Sequence, residues 1–164
     1  DVGAMTEYLG MPEKTEETLK DGWLHSGDIA REDAESFYYY VDRKKFMVRR
    51  AGENISAREV ENVVDELPGV AASAIFPAPD DVFGEVVKVQ VERIDDDLTE
   101  EDVVMQVARE LAPYKVPRYV EFVDSFPRTP SERIQRVKLA DREREREDHG
   151  WDRETELPDW NERL

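Results

Sequence analysis

A run of basic residues interrupts an otherwise acidic sequence between positions 43 and 50. Arg43, Lys45, Arg49 and Arg50 lie there, although the 164-residue chain holds 40 Asp and Glu against 23 Lys and Arg, a net charge of −17. Guanidinium and ammonium groups bind phosphate and ribose oxygens. The same groups also pair with neighbouring carboxylates. The run therefore indicates either an anion-binding site or a set of surface ion pairs.

The composition excludes several other kinds of chemistry and partner. The chain has no Cys, so disulfides, thiolate catalysis and Cys-ligated zinc are excluded. His25 and His149 are its two histidines and lie far apart in sequence, which leaves little material for a His-based metal site. A polyanion repels so acidic a protein, and no apolar run reaches membrane-span length. We therefore expect no nucleic-acid partner and no membrane span.

The acidic composition itself has two interpretations. It is either an ordinary solvated surface or a halophilic adaptation, in which high salt screens the repulsion among carboxylates. We favour the second, which concerns the protein's environment rather than its activity.

The hydrophobic pattern predicts the elements that position these residues. Strands are expected at residues 37–41, 46–49, 70–76, 86–94 and 119–123, the fourth of them half-exposed, with a loop at 77–84. Helices are expected from Ser56 to about Leu67, after Thr99, and from Ile134 onward. Ser56 with Glu59, and Thr99 with Asp102, have capping-box spacing. The order indicates a small α+β sandwich, a sheet with helices packed on one face.

The two ends of the sequence differ from its middle. Residues 1–21 are loop-like and do not begin with Met, so we expect a piece cut from a longer chain. Residues 141–164 are mostly charged and predict a helix followed by an extended tail. Trp151 and Trp160 are expected to dock this tail onto a surface or onto a missing domain.

Four stretches together resemble a known family. They are Asp21-Gly-Trp-Leu-His-Ser-Gly-Asp28, residues 41–61, Tyr114-Lys-Val-Pro-Arg118 and Pro127-Arg-Thr-Pro-Ser-Glu-Arg-Ile-Gln135. Their order and spacing are similar to the C-terminal part of the adenylate-forming (AMP-binding) superfamily, from about Met5 to Leu139. Within it, residues 12–15, 41–45 and 52–55 look most like acyl-CoA ligases of the medium-chain and carnitine type.

The resemblance implies a fold and a domain arrangement. Residues 1–43 would be the β-rich end of a large N-terminal AMP-binding domain, and residues 44–140 a mobile C-terminal domain. That domain would be α+β, a small three-layer-like sheet with packed helices. Residues 141–164 would be a charged helical or extended tail.

The resemblance also implies a two-step reaction. ATP and a carboxylic acid give an acyl-adenylate and pyrophosphate with Mg²⁺, which the N-terminal domain mainly binds, and CoA then displaces AMP to form a thioester. The implied partners are the acid, ATP, CoA and the protein's own N-terminal domain. A homodimer and a cytoplasmic location are compatible with this assignment. The 164 residues alone are expected to be inactive.

Individual residues match the family's functional positions. Asp28 matches a ribose-binding Asp, and Arg43 an Arg that contacts the nucleotide; a turn Asp and a surface ion pair are the alternatives. Lys45 falls at the hinge between the two domains. The residues implied at the thioester-forming site are Arg49, as a catalytic residue, and Gly52, Glu53 and Asn54, along the CoA channel.

The fourth stretch departs from the family pattern. The family normally has Gly-Lys where this sequence has Glu132-Arg133, and that Lys bridges the carboxylate and the α-phosphate during adenylation. Arg133 could do the same work with shifted geometry, adenylation could be slow with the thioester step retained, or Lys138 could substitute. We favour the first, with Arg133 catalytic.

Other functions stay open at this point. The chain could belong to an adenylation enzyme that passes its acyl group to a carrier protein, although the short sequence after residue 135 favours free CoA. It could also be a catalytically degenerate binding module.

Overall fold

The computed structural model describes residues 5–164 as two compact units, divided between Lys45 and Phe46. Residues 1–4, part of the predicted loop-like opening, lie outside the described residues. The division falls two residues after the boundary predicted from the sequence. Each unit is considered separately below.

The first unit consists of a short helix and two small antiparallel sheets. Helix α1 (Pro12–Thr18) carries Pro at its first turn, where no backbone N–H is needed. Strands β1 (Leu19–Lys20) and β2 (Trp23–Leu24) form one hairpin. Strands β3 (Asp28–Glu32) and β4 (Tyr38–Arg43) form the other sheet. The expectation of a loop is therefore wrong over residues 12–20.

The second unit alternates strands and helices. Its strands are β5 (Met47–Arg50), β6 (Glu53–Ser56), β7 (Val70–Asp80), β8 (Gly84–Arg93), β9 (Tyr119–Val123) and β10 (Trp151–Asp152). Its helices are α2 (Ala57–Asp65), α3 (Glu100–Glu110), α4 (Arg136–Arg144) and α5 (Arg153–Glu156). Single 3₁₀ turns cover Lys44–Phe46, Pro113–Lys115 and Trp160–Glu162. The predicted mixed α+β class is confirmed.

Within residues 46–164, one six-stranded sheet organises the second unit. The strand order is β10-β9-β8-β5-β6, and β7 forms a long antiparallel hairpin with β8. Strands β8 and β9 run parallel, joined through α3, and the other pairs are antiparallel. Strand β7 includes Pro77 and Pro79, so the predicted loop at 77–84 is wrong over its first half. Both prolines are tolerated because β7 pairs on one side only, with β8.

Helices cover both faces of this sheet. On one face, α2 and α3 pack against Val87, Val89 and Val91 in the main core. On the other, Leu139 of α4 packs with Phe76 and Phe126. The prediction that helices cover one face only was therefore wrong. The prediction that β8 is half-exposed was also wrong.

A buried network of charged residues explains why the alternating polar residues of β8 wrongly predict an exposed face. Lys88 has no exposed surface, and its Nζ lies 2.7 Å from Glu143 Oε2 and 2.8 Å from Glu121 Oε2. Arg146 Nη1 lies 2.9 Å from both oxygens of Glu121. Burial of a charge requires such partners. Alternating polar residues of β8 therefore face α4 and the segment after it rather than solvent.

The charged C-terminal segment folds with the second unit. Strand β10 pairs with β9, Leu157 is 2% exposed in the main core, and Trp151 and Trp160 pack against that core. Of the two docking alternatives for the tryptophans, the structure has them on the unit's own core.

The two predicted capping boxes differ in outcome. Thr99 and Asp102 form the complete reciprocal box at the start of α3. Ser56 accepts the N–H of Glu59, but the Glu59 carboxylate instead binds Lys115 Nζ at 2.6 and 2.7 Å. Across residues 5–164, no helix has the length and apolar character that crossing a membrane requires.

Candidate functional site

Asp28 and Arg43, the two predicted nucleotide-binding residues, are brought together in the first unit. Asp28 begins β3, Arg43 ends β4, and the two residues are paired in register. Arg43 Nε donates to Asp28 Oδ1 at 3.0 Å. Their side chains are 49% and 36% exposed. A carboxylate and a guanidinium thus stand side by side, open to a polar ligand.

Backbone contacts fix the ends of these two strands. Lys44 N–H donates to Gly27 O at 2.8 Å, and Asp28 N–H donates to Ser26 Oγ at 3.1 Å. The buried Asp42 accepts the N–H of Arg43 at 2.7 Å. The strand ends, and with them the Asp28–Arg43 pair, are therefore held by hydrogen bonds from main-chain N–H groups in addition to the exposed ion pair.

The predicted CoA-channel residues form the tip of the β5–β6 hairpin. Arg49 pairs with Asn54, and Arg50 with Glu53, around a two-residue turn of Ala51 and Gly52. Both turn residues have positive φ, 49° and 90°, which is typical of tight hairpin turns. A Cβ on Gly52 would meet no atom within 4 Å. The glycine is thus required by the backbone conformation, and its outer face is open.

Arg133 lies in a different place, on the loop between β9 and α4. Arg128 and Ile134 form an isolated antiparallel bridge across this loop. Thr129 N–H donates to Arg133 O at 2.8 Å, and Arg133 N–H donates to Thr129 Oγ1 at 3.2 Å. The Arg133 side chain is exposed, and among residues 5–164 it has no hydrogen-bond or ion-pair partner.

Glu132, beside Arg133, has a left-handed backbone with φ of 61°. Such a conformation is costly for a residue with a Cβ and easy for glycine. This is the position where the resembling family has Gly. The loop thus keeps the backbone that glycine favours, although the residue is Glu.

Comparisons of the sequence and the fold with known proteins agree with one another. Residues 59–133 match the family model described as AMP-binding enzyme C-terminal domain. A long-chain-fatty-acid–CoA ligase of Escherichia coli O6:H1 is 43% identical over 145 residues, 88% of this chain and 26% of that protein. A fatty acid–[acyl-carrier-protein] ligase, ScoC of Streptomyces coeruleorubidus, is 41% identical over 139 residues, 84% of this chain and 27% of that protein.

A solved structure matches as well. ATP-bound MatB from Rhodopseudomonas palustris superposes with a TM-score of 0.75 and 32% identity, covering 84% of this chain and 28% of that one. The chain belongs to the adenylate-forming enzymes. It spans about a quarter of the length of the curated relatives that it matches.

Within this AMP-binding C-terminal domain, the Tyr114–Arg118 motif supports other elements. Lys115 holds Glu59 at the start of α2, immediately after the β5–β6 hairpin. Arg118 Nη1 donates to Asp80 Oδ2 at 2.5 Å, and Nη2 donates to Asp152 Oδ2 at 3.1 Å. Burial would lower the pKa of Arg118, but the carboxylate of Asp152 outweighs it and the pKa is raised. Arg118 therefore remains a cation that links the sheet to the C-terminal segment.

The sequence did not identify Asp80, Glu85 or Glu92 as residues near the sites. Glu85 Oε2 accepts the N–H of Arg49, and Glu92 Oε2 accepts from Arg128. Each partner is 36 residues away in the chain. The local sequences Phe83-Gly-Glu-Val86 and Gln90-Val-Glu-Arg93 give no sign of such contacts. The contacts become visible only when β8 is placed beside the hairpin and the loop.

Lys45 is the last residue of the first unit and lies in the 3₁₀ turn Lys44–Phe46. This is where the sequence predicts the hinge, and the role of Lys45 as a hinge stays a prediction. Among residues 5–164, no group of three or more His, Asp or Glu could hold a metal ion.

Proposed function

We propose that this chain is the C-terminal part of an ATP-dependent acyl-CoA synthetase. The complete enzyme converts a carboxylic acid and ATP to an acyl-adenylate and pyrophosphate, then forms a CoA thioester and releases AMP. The observation that carries the proposal is the match over 88% of the chain to a long-chain-fatty-acid–CoA ligase. Each of the three candidate regions, which are the Asp28–Arg43 pair, the Arg133 loop and the β5–β6 hairpin, has a role in this reaction.

Asp28 and Arg43 bind the nucleotide in this proposal. A carboxylate accepts hydrogen bonds from two neighbouring hydroxyls, as a ribose presents them. Arg43 directs its Nε to Asp28, which orients the carboxylate, while its Nη groups can donate to ribose or phosphate oxygens. The pair therefore combines recognition of the sugar with neutralisation of charge.

Arg133 serves the adenylation step. Its guanidinium would lie between the substrate carboxylate and the α-phosphate and stabilise the negative charge that develops as the new bond forms. The exposed side chain, with no partner among the described residues, is available for this contact. The left-handed backbone at Glu132 keeps the loop in the conformation for which the family uses glycine.

The β5–β6 hairpin serves the thioester step. The open face of Gly52 leaves room for a thin pantetheine arm to pass close to the backbone, alongside Glu53 and Asn54. Arg49 is exposed on the same hairpin and can pair with phosphate oxygens of CoA or AMP. Lys45 is the hinge that lets hairpin and Arg133 loop act in turn.

The first unit supports the presence of a large N-terminal domain. Its exposed large apolar residues include six that are each 47–75% exposed: Trp23, Leu24, Phe37, Tyr38, Tyr39 and Tyr40. Two-stranded sheets are marginal alone, and so many exposed large apolar side chains favour an interface with another part of the protein. We assign this interface to the AMP-binding domain of the same protein, which would also hold Mg²⁺ with ATP.

The location follows from the substrates. Since ATP and CoA are intracellular, we place the enzyme in the cytoplasm. A homodimer is compatible with this function.

Transfer to a carrier protein is the second candidate. The 41% identity to a fatty acid–[acyl-carrier-protein] ligase favours it. Both candidates share the adenylation step and differ in the thiol that attacks.

One assay of the complete enzyme separates the candidates. AMP and thioester formation are measured with ATP and a series of fatty and aryl acids, with CoA, with a phosphopantetheinylated carrier protein, or with neither. The proposal predicts acyl-CoA and AMP in equal amounts only with CoA. Thioester formation on the carrier alone would favour the second candidate, and the absence of acid-dependent pyrophosphate release would contradict both.

A further inference from the structure

Strand β8 carries a glutamate near each end. Glu85 is its second residue and Glu92 its ninth. At about 3.3 Å per residue, seven residues separate the two backbone positions by about 23 Å. Neither glutamate belongs to the four stretches that carry the family resemblance, yet each contacts one of the two candidate sites in this domain.

At the first end, β8 and the turn before it hold the β5–β6 hairpin. Glu85 Oε2 accepts the N–H of Arg49 at 2.8 Å, and Phe83 O accepts the N–H of Ala51 at 3.1 Å. The Arg50 guanidinium lies 4.0 Å from the centroid of the Phe83 ring. Three independent contacts therefore set the position of the hairpin tip.

The turn between β7 and β8 is itself fixed by one buried carboxylate. Asp80 Oδ1 accepts the N–H groups of Val82 at 2.9 Å and Phe83 at 2.6 Å. Its Oδ2 accepts from Arg118 at 2.5 Å. Burial raises the pKa of Asp80, but these hydrogen bonds and the Arg118 charge outweigh it and lower the pKa. The support under the hairpin is therefore rigid and stays charged at neutral pH.

At the other end, β8 holds the Arg133 loop through one arginine. Arg128 Nη2 donates to Glu92 Oε2 at 3.2 Å, while its Nη1 donates to Glu132 O at 3.2 Å. Gln135 Nε2 donates to Arg128 O at 2.6 Å. Arg128 thus connects the strand to the backbone beside Arg133, and Glu92 orients Arg128.

We propose that Glu85 and Glu92 are positioning residues for different half-reactions, Glu85 for thioester formation and Glu92 for adenylation. The proposal rests on the proposed function of the hairpin and the Arg133 loop. The two supports lie on one strand about 23 Å apart, farther than one reacting centre extends. Each therefore acts in its own step, and β8 fixes the spacing between the two sites.

The test measures both half-reactions separately in the complete enzyme. Adenylation is followed by ATP–pyrophosphate exchange, and thioester formation by mixing pre-made acyl-AMP with CoA. Glu85→Ala is expected to slow thioester formation by about 10- to 100-fold, the effect of misplacing a reacting group by about 1 Å, and to leave adenylation within about twofold. Glu92→Ala is expected to do the reverse.

Matched variants separate positioning from folding. Glu85→Gln and Glu92→Gln keep an accepting oxygen and should restore most of the lost rate. Glu110→Ala removes an equal charge from an exposed position at the end of α3 and should leave both rates unchanged.

The results that would refute the positioning proposal differ from those that would refute the proposed function. A wild-type enzyme without thioester formation would refute the proposed function. A wild-type enzyme with both activities, in which Glu85→Ala and Glu92→Ala lower the two rates equally or change neither, would overturn the positioning proposal alone.

Discussion

Arg43 donates from Nε to Asp28 Oδ1 over 3.0 Å, across the paired ends of β4 and β3. The two residues are 15 positions apart in sequence, and the register of one antiparallel sheet brings them together. Each side chain therefore restricts the orientation of the other, while both remain accessible to solvent.

Replacement of this pair should affect ATP binding more than stability. Arg43→Ala removes a charge-assisted contact, so the KM for ATP should rise by about tenfold, which corresponds to about 1.4 kcal/mol. The free energy of unfolding should change by less than about 1 kcal/mol, because the ion pair is exposed. Arg31→Ala, on β3, is the matched control. An unchanged KM for Arg43→Ala would mean that the pair is a surface ion pair only.

Glu132→Gly should stabilise the second unit. The left-handed conformation costs a non-glycine residue about 1–2 kcal/mol, of which the greater freedom of glycine in the unfolded chain cancels a part. A net gain of about 0.5–1 kcal/mol is expected in urea unfolding. The signal is the fluorescence of Trp151 and Trp160, in a Trp23→Phe background.

Glu132→Ala provides the control for that measurement, because it removes the same side chain and keeps the strained φ. It should give no gain. Equal stabilisation by Gly and Ala would show that the glutamate side chain, rather than its backbone, is the source of the cost.

Acid should destabilise the second unit through Glu121. Burial raises the pKa of Glu121, but hydrogen bonds from Lys88, Gln90 and Arg146 outweigh it and lower the pKa from 4.5 to about 2. A group with a lowered native pKa contributes stability above pH 4.5, and that contribution is lost as the pH falls from 4.5 toward 2. After allowance for solvent screening, about 2 kcal/mol should disappear over this range.

Glu121→Gln tests the assignment. It should lower stability at pH 7 and remove much of the pH dependence between 4.5 and 2, measured by urea unfolding in the same Trp23→Phe background. A pH profile that this substitution leaves unchanged would assign the acid sensitivity to other carboxylates.

Salt should stabilise the chain. Its net charge of −17 produces repulsion that salt screens, and the Debye length falls from about 10 Å at 0.1 M to about 3 Å at 1 M. A halophilic protein should continue to gain stability in KCl well above 1 M. A plateau near 1 M would favour the ordinary solvated surface, and sucrose at equal osmolality is the control for effects other than screening.

Local signals predicted much of this fold. The strand Tyr119–Val123 and the Thr99 capping box agree with the structure because a short apolar run and a hydroxyl–carboxylate spacing act within a few residues. Likewise, the resemblance brought together Asp28 and Arg43, which are neighbours in the structure.

The remaining features depend on contacts that sequence spacing does not encode. In the sequence, Lys88 predicts an exposed face on β8. In the structure it is buried, because Glu121 and Glu143 pair with its charge. Glu59 has the spacing of a capping residue, yet its carboxylate binds Lys115, 56 positions away. Glu85 has no local signature, since its partner is the backbone of Arg49.

The most direct test of the whole account is the ratio of the two half-reaction rates in Arg133→Ala. Removal of the guanidinium should slow ATP–pyrophosphate exchange by about 100-fold or more, the typical cost of deleting one group that stabilises transition-state charge. Thioester formation from pre-made acyl-AMP and CoA should stay within about threefold of wild type, since Arg133 lies on the loop between β9 and α4 rather than on the β5–β6 hairpin. Equal loss in both half-reactions, or no loss in either, would contradict the assignment of adenylation to the Arg133 loop.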